Sequence, residues 1–520
     1  MHSTLRHPIG EPLDVETALE QPAPGSNVPG STTPESAAST DVPRKRLPNW
    51  ATVCEASVFV VFAVFFILYG VTPIFGGDGI GLVGADEPRY AQIAHEMLDR
   101  FDSAHTLKER LSACVTPYLY GHPWLEKPAL YYWRAMFVFQ DFGVHDWSAR
   151  LPSASFAFIM VALIYLHMRR FRRGGHLDAA LITVACAGII GFSRGASTDM
   201  QMAAPFSIGL LGWYAWYETD SKFWLFDIYF FTGVATLAKG PVAPFLAILI
   251  VVAFAALRRE WSILKRSFWW PGVVLYFAIV LPWFVAVQHQ NPTFFREFFL
   301  EHNLERFATN RYEHQQPFWY YLVVVLLALM PWTVIAIRAL VDGIQTSVAE
   351  WRLRHSKPDK PAPKRPGDAF PEFLVLWTLI PIIFFSFSQS KLPGYILPGI
   401  PALLMLGATA IHRRAGWEEP PRRVSILLHA ALLGVLGAAL IVAPRVVFHI
   451  HLTAGVLAAA AAAFAVIFLL VALPLVRLGW PMLRFVTLLP MILLVGFLLR
   501  GLAPALDATV SSRPVAQWST

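Results

Sequence analysis

Acids and bases fall together at a few places in a chain that is otherwise largely apolar. Gly84-Ala85-Asp86-Glu87-Pro88-Arg89-Tyr90 sets two carboxylates before an arginine and a phenol, and Trp124-Leu125-Glu126-Lys127-Pro128 repeats the acid-base pairing ahead of an aromatic run. Asp86 reads in two ways. It is a helix N-cap followed by a proline in the first turn, or a general base held beside a phosphate-bearing lipid. Glu126 and Lys127 are likewise either a solvated pair or a place where Lys127 supplies a point charge for a phosphate. Asp199 and Lys239 stand at the mouths of apolar runs, where an ionisable group is costly unless it is paired or functional. Ser388-Gln389-Ser390-Lys391-Leu392-Pro393-Gly394-Tyr395 carries a base and a phenol into the next run. A polar stretch with Gly and Pro between two apolar helices must line a cavity or be buried in protein, and Lys391 with Tyr395 could bind an anion there. The segment Asn291 to Pro317 alternates charges among phenylalanines, mostly as a solvated face. Arg306 beside Phe307 is its better site candidate.

The elements that must position these groups are transmembrane. The 520 residues are 56% hydrophobic and 15% charged, with a mean hydropathy of +0.50. That balance excludes an ordinary soluble globular protein. Runs near 50–74, 148–168, 177–194, 200–217, 223–238, 240–257, 269–287, 317–337, 371–388, 394–411, 424–444, 453–474 and 484–503 give about 13 candidate spans. The sequence thus predicts an all-α polytopic membrane protein, with 1–48 a disordered polar tail, 49–503 the transmembrane domain and 504–520 a short external tail. Lys239-Gly240-Pro241 predicts a tight re-entry between two spans.

Basic residues sort to alternate loops. Arg169, Arg170, Arg172 and Arg173, then Arg258, Arg259, Lys265 and Arg266, then the 338–368 loop fall on the side of the N-terminal tail. The positive-inside rule therefore makes that side cytoplasmic and puts the acid-base motifs on the outer face. The largest outer segment, from about Phe75 to His145, predicts an amphipathic surface helix, because Tyr90, Ile93, Ala94 and Met97 recur at helical spacing. A net charge of +7 is explained by topology rather than by nucleic acid. Cys54, Cys114 and Cys186 form neither a disulfide framework nor a metal cluster pattern. Without a nucleotide-binding glycine loop or a zinc-spaced His pair, a soluble nucleotide sugar fits poorly and a lipid phosphate entering from the membrane fits better.

Seven motifs together resemble a known family. Asp86-Glu87-Pro88-Arg89-Tyr90, Leu125-Glu126-Lys127-Pro128, Arg150-Leu151-Pro152-Ser153, Asp199-Met200, Lys239-Gly240-Pro241, Pro317-Phe318-Trp319-Tyr320-Tyr321 and Ser390-Lys391-Leu392-Pro393-Gly394-Tyr395 are similar, in order and spacing over roughly residues 50–420, to those of the GT-C class of polytopic lipid-linked sugar transferases. The bacterial lipid A aminoarabinose transferases and their protein O-mannosyltransferase relatives are the members it resembles most. The resemblance implies a GT-C-like bundle in the bacterial inner membrane with its site on the periplasmic face. It also implies a polyprenyl-phosphate-linked sugar donor, a lipid, glycan or protein acceptor, and inversion at the anomeric carbon.

Carried over by position, Asp86 is the base or acceptor-orienting acid, with Glu87 beside it and Asp199 in support. Lys127, Arg306 and Tyr395 hold the donor phosphate, with Lys391, Arg89 and Lys239 close by. Glu126 with His302 would bind a divalent cation, although the family histidine position is occupied here by Asn303. Two departures are expected to matter. The stretch Phe101 to Val115 is about ten residues longer than the usual link, and the chain stops soon after Ser511-Ser512-Arg513-Pro514-Val515-Ala516, where the lipid A transferases continue into an external domain. The rival class is a secondary transporter or flippase, which would place its ionisable groups at the midplane of broken helices in two similar halves. An envelope assembly protein would leave the acid-base motifs without a task.

Overall fold

The computed structural model describes residues 49–69, 80–172, 174–305, 316–356 and 369–415, with isolated positions between 424 and 511. The expected tail 1–48 and most of the expected spans at 424–444, 453–474 and 484–503 lie outside the described residues. Contacts divide the chain after Thr52, and the account below concerns the body from Val53 onward.

The body is helical. After α1 (Asn49–Ala63) and a π-turn (Val64–Leu68) come α2 (Asp86–Asp102), α3 (Leu107–Ala113), a two-stranded hairpin β1 (Tyr118–Leu119) and β2 (His122–Pro123), and α4 (Leu130–Phe142). The bundle proper begins with α5 (Asp146–Phe171), α6 (His176–Val184), α7 (Ala187–Ser193), α8 (Thr198–Thr219), α9 (Phe223–Lys239) and α10 (Val242–Arg258). It continues through α11 (Ser262–Ser267), α12 (Trp270–Gln290), a π-helical segment (Arg296–Glu305), α13 (Tyr320–Ala328), α14 (Thr333–Ser356), α15 (Phe370–Ser386), a 3-10 turn (Pro393–Gly399) and α16 (Ile400–Ala415).

Among the described residues, three helices are long and apolar enough to cross a bilayer by themselves: Asp146–Phe171, Trp270–Gln290 and Pro393–His412. Two further pairs would count as broken spans. α6 and α7 bend by 61° at Ala185-Cys186, and α13 and α14 bend by 118° around Pro331, a residue that cannot continue the ladder of helical hydrogen bonds. Periodicity had marked 177–194 and 317–337 as single spans because apolar character continues through both breaks. α8 is central, buried along nearly its whole length from Met200 to Trp216. The expected break at Lys239-Gly240-Pro241 is a tight turn: α9 ends at Lys239 and α10 starts at Val242, with Gly240 at φ +87° and the Phe298 ring against it. Glycine is required there, since a Cβ would sit 2.7 Å from that ring.

Helix direction separates two ends of the bundle. At one end Arg258 closes α10 and meets Glu372 of α15 at 3.0 Å, while Arg354 of α14 joins the same carboxylate at 2.8 Å and Glu350 at 2.6 Å. Lys239, Val242 and the turn after Ser386 define the opposite end, which is where the acid-base motifs gather.

α2 begins with two acids, which favours its N-terminus. Its apolar face does not lie bare, as a helix resting on the lipid surface would. It packs on α4, with the Tyr90, Tyr131 and Tyr132 rings 5.8–6.0 Å apart. The extra segment after Phe101 folds into α3, closed by a capping box between Thr106 and Glu109. It is then stapled to the end of α12: Thr116 donates to Gln290 at 2.7 Å and accepts from Asn291 at 2.7 Å, and Trp283 donates to the Val115 carbonyl at 2.9 Å.

Candidate active site

Glu87 is the knot of the site end. Its Oε1 accepts from the Ala196 N–H at 2.7 Å and from Arg150 Nε at 3.1 Å, and its Oε2 accepts from the Val83 N–H at 2.7 Å and from Arg150 Nη2 at 2.6 Å. Glu87 and Arg150 expose only 13% and 12% of their side chains, so this charge-assisted fork is shielded from water. One carboxylate therefore ties the start of α2, the start of α5 and the turn before α8. Asp86 is the neighbour of Glu87, and Asp199 lies three residues beyond Ala196. Glu87 was expected among the reacting acids, but both of its oxygens are engaged by the scaffold.

Asp199 is held from three sides. Lys239 Nζ donates to Oδ1, Ser197 Oγ donates to Oδ2 at 3.3 Å, and the Gly394 backbone lies so close that a Cβ there would be 2.3 Å from Oδ1. Lys239 Nζ also lies 4.9 Å from the centre of the Tyr395 ring. Asp199, Lys239, Gly394 and Tyr395, far apart in the chain, thus form one cluster. Lys391 borders it as a strut, buried and donating to the Gln316 and Ser388 carbonyls at 3.1 and 2.6 Å. Tyr321 donates to the Leu392 carbonyl at 3.1 Å, fixing the same turn.

Asp86 is exposed at the first position of α2. The preceding Ala85 occupies the N-cap with no side-chain cap, so Asp86 is not a capping residue. Its partner is Arg89 at 3.2 Å, whose guanidinium lies 5.2 Å from the centre of the Trp124 ring. Tyr90 reports how the acids converge: its hydroxyl is pushed well above the ordinary range, first by burial and then by the charges of Asp86, Asp199 and Glu126. Tyr132 is raised by burial, then by Tyr90 and Glu126. Both phenols therefore stay protonated at neutral pH, each able to donate one hydrogen bond.

Glu126 and Lys127 are half-buried in the turn before α4, and Lys127 makes interactions of its own. Arg306 lies outside the described residues, as does the side chain of His302. Among the described residues no three His, Cys, Asp or Glu side chains stand close enough to hold a metal ion. The expected Glu126 and His302 pairing lies outside what the structure describes. Arg150 and Gly394 belong to the sequence motifs, but no role for either follows from the sequence. A charge at the mouth of a span was the available signal for Arg150, whereas nothing local marks Gly394. Arg134 was missed altogether: it donates to the Pro152 carbonyl at 2.8 Å and to Ser155 at 2.6 Å, joining α4 to α5.

Comparison with known proteins agrees with this geometry. Residues 126–285 match the family described as dolichyl-phosphate-mannose-protein mannosyltransferase. Over 423 residues the chain is 28% identical to undecaprenyl phosphate-alpha-4-amino-4-deoxy-L-arabinose arabinosyl transferase 2 of Pseudomonas fluorescens, covering 80% of this chain and 64% of that protein. It is also 28% identical to the corresponding transferase of Pseudomonas paraeruginosa, over 73% of this chain and 65% of that one. The chain thus spans a little under two thirds of the length of these relatives. The crystal structure of ArnT from Cupriavidus metallidurans bound to undecaprenyl phosphate superposes with a TM-score of 0.67 at 25% identity, covering 89% of this chain and 80% of that one. The apo form gives 0.66 at 24% identity, covering 86% of this chain and 77% of that one.

Proposed function

We propose that this chain, which resembles the GT-C class of polyprenyl-phosphate-sugar transferases in sequence and in fold, is an integral membrane glycosyltransferase. It moves a sugar from a polyprenyl-phosphate carrier to a lipid, glycan or protein acceptor, with inversion at the anomeric carbon. The observation that carries this reading is the gathering of Asp86, Asp199 with Lys239, and Tyr395 at one end of the bundle, with Glu87 tying the start of α2 to the turn before Asp199. The naming of the relatives makes 4-amino-4-deoxyarabinose the first sugar to test; lipid A is the acceptor that the motif resemblance puts first.

In this reading the bond from the anomeric carbon to the phosphate oxygen breaks as a bond to the acceptor oxygen forms. Asp86, exposed and paired with Arg89, orients the acceptor and takes its proton. Lys127, Arg306 and Tyr395 hold the departing phosphate, where fixed cations stabilise the charge that develops. Lys239 pairs with Asp199 and keeps it aimed. We assign Glu87 and Lys391 to positioning, since the scaffold engages both. We further propose about 13 spans, a cytoplasmic tail before residue 49 and a site on the periplasmic face.

Purified protein in detergent or nanodiscs, given a polyprenyl-phosphate sugar and candidate acceptors, should release free polyprenyl phosphate and glycosylated acceptor, and Asp86→Asn should abolish both. Movement of the intact lipid-linked sugar across vesicles, with no new glycoside, would establish the flippase class instead.

A further inference from the structure

The backbone just ahead of Asp86 is held by a second part of the chain more than 400 residues away. Asp507 Oδ1 accepts from the Gly81 N–H at 2.7 Å, and Ser511 forms an antiparallel bridge with Val83. Ser511 Oγ donates back to the Asp507 carbonyl at 2.7 Å, so the two anchors are tied to each other. The gripped residues are the ones that the Glu87 knot uses from its other side. Arg150 Nη2 donates to the Gly81 carbonyl at 2.9 Å and Nη1 to the Ile80 carbonyl, while the Val83 N–H goes to Glu87. Gly81 therefore gives its N–H to Asp507 and its carbonyl to Arg150, and Val83 is shared between Ser511 and Glu87.

We propose that Asp507 is a positioning residue for transfer. By pinning Gly81 it fixes residues 80–83 against Arg150, and through Arg150 and Glu87 it sets both Asp86 on α2 and the turn that carries Asp199. Asp507 and Ser511 thus border the site. A short extended segment without such a partner leaves its backbone donors to water and wanders on a fast timescale. A displacement of the order of 1 Å at a reacting group can cost about a hundredfold in rate, so this grip acts on turnover more than on fold. The proposal rests on the reading of Asp86 and Asp199 as reacting groups, but the grip itself can be measured without turnover.

The test compares Asp507→Ala with Asp507→Asn in the full-length protein. Asparagine keeps a carbonyl oxygen for the Gly81 N–H; alanine does not. Amide hydrogen exchange of the 80–87 peptide should quicken about fivefold or more in the alanine variant, the loss of one net hydrogen bond, and return most of the way toward wild type in the asparagine variant. Transfer should follow the same order, with kcat falling about tenfold in Asp507→Ala while KM for the lipid-linked sugar changes little. Exchange that is unchanged in Asp507→Ala would overturn the grip. Faster exchange with unchanged kcat would overturn the positioning role, as would asparagine behaving like alanine in both readouts. If wild-type protein turns over no lipid-linked sugar, the proposed reaction fails, and exchange decides the grip independently.

Discussion

Gly394 and Asp199 are packed so closely that the carboxylate fills the space where any side chain at 394 would begin. A Cβ on Gly394 would lie 2.3 Å from Oδ1 and 2.5 Å from Cγ of Asp199. Gly394→Ala must therefore push Asp199 off Lys239 or move the 393–399 turn. Overpacking of this kind costs about 1–3 kcal/mol; if it falls on the reacting arrangement, transfer drops roughly 10- to 100-fold. Steady-state kinetics beside a thermal melt checks this, and a loss of stability with unchanged kcat would show that the turn yields instead of the aspartate.

Asp86 and Asp199 should separate in their response to neutralisation. Asp86→Asn removes an exposed carboxylate whose one ion-pair partner among the described residues is Arg89, so the fold should melt as wild type while transfer falls by roughly 1000-fold. Asp199→Asn also removes the partner of Lys239, so it should lose activity and some stability together. Near-normal turnover in Asp86→Asn would remove that residue from the chemistry.

Glu87→Gln tests the knot. Each carboxylate oxygen accepts from one backbone N–H and one arm of Arg150, so the amide NH2 meets two donors whichever way it is turned. Breaking a largely buried pair in this way costs about 3–5 kcal/mol. Melting temperature and expression should fall together, and kcat with them. A variant as stable as wild type would show that the fork adds little to the fold.

Acid should loosen the hairpin tip. Tyr120 and Gly121 both adopt positive φ, and Glu96 holds that turn by accepting both N–H groups at 2.7 and 3.2 Å. Burial pushes the Glu96 carboxyl up, but the bonds from Gln92, Gly121 and Tyr120 and the charge of Arg100 outweigh it and leave it below its ordinary value of 4.5. A carboxylate depressed in the folded state contributes stability above its unfolded pKa, lost as pH falls through the folded one. Exchange of the Tyr120 and Gly121 amides, corrected for intrinsic rate, should be flat from pH 7 to about 5 and rise below about 4. In Glu96→Gln the rise should vanish.

Much of the site could be read along the chain because its costs are local. A carboxylate or an ammonium at the mouth of an apolar run needs a partner or a function, and that requirement marked Asp199 and Lys239, while the acid-base motif marked Asp86 and the polar stretch between two apolar runs marked Lys391. Composition and hydropathy likewise determined a helical membrane protein, and Gly240 announced its own turn. Which of the marked charges are left exposed and which are consumed by the scaffold was decided by tertiary structure alone. Glu87 and Asp86 are adjacent and alike in sequence, yet one is enclosed by Arg150 and two backbone donors brought from residues 83 and 196, and the other is left outside with Arg89. The breaks at 185 and 331, the approach of Gly394 to Asp199 and the grip of Asp507 on Gly81 were equally out of reach. The physical reason is that periodicity and charge report what a residue must avoid, while its partner is supplied by a segment tens or hundreds of residues away, and only packing chooses which one arrives.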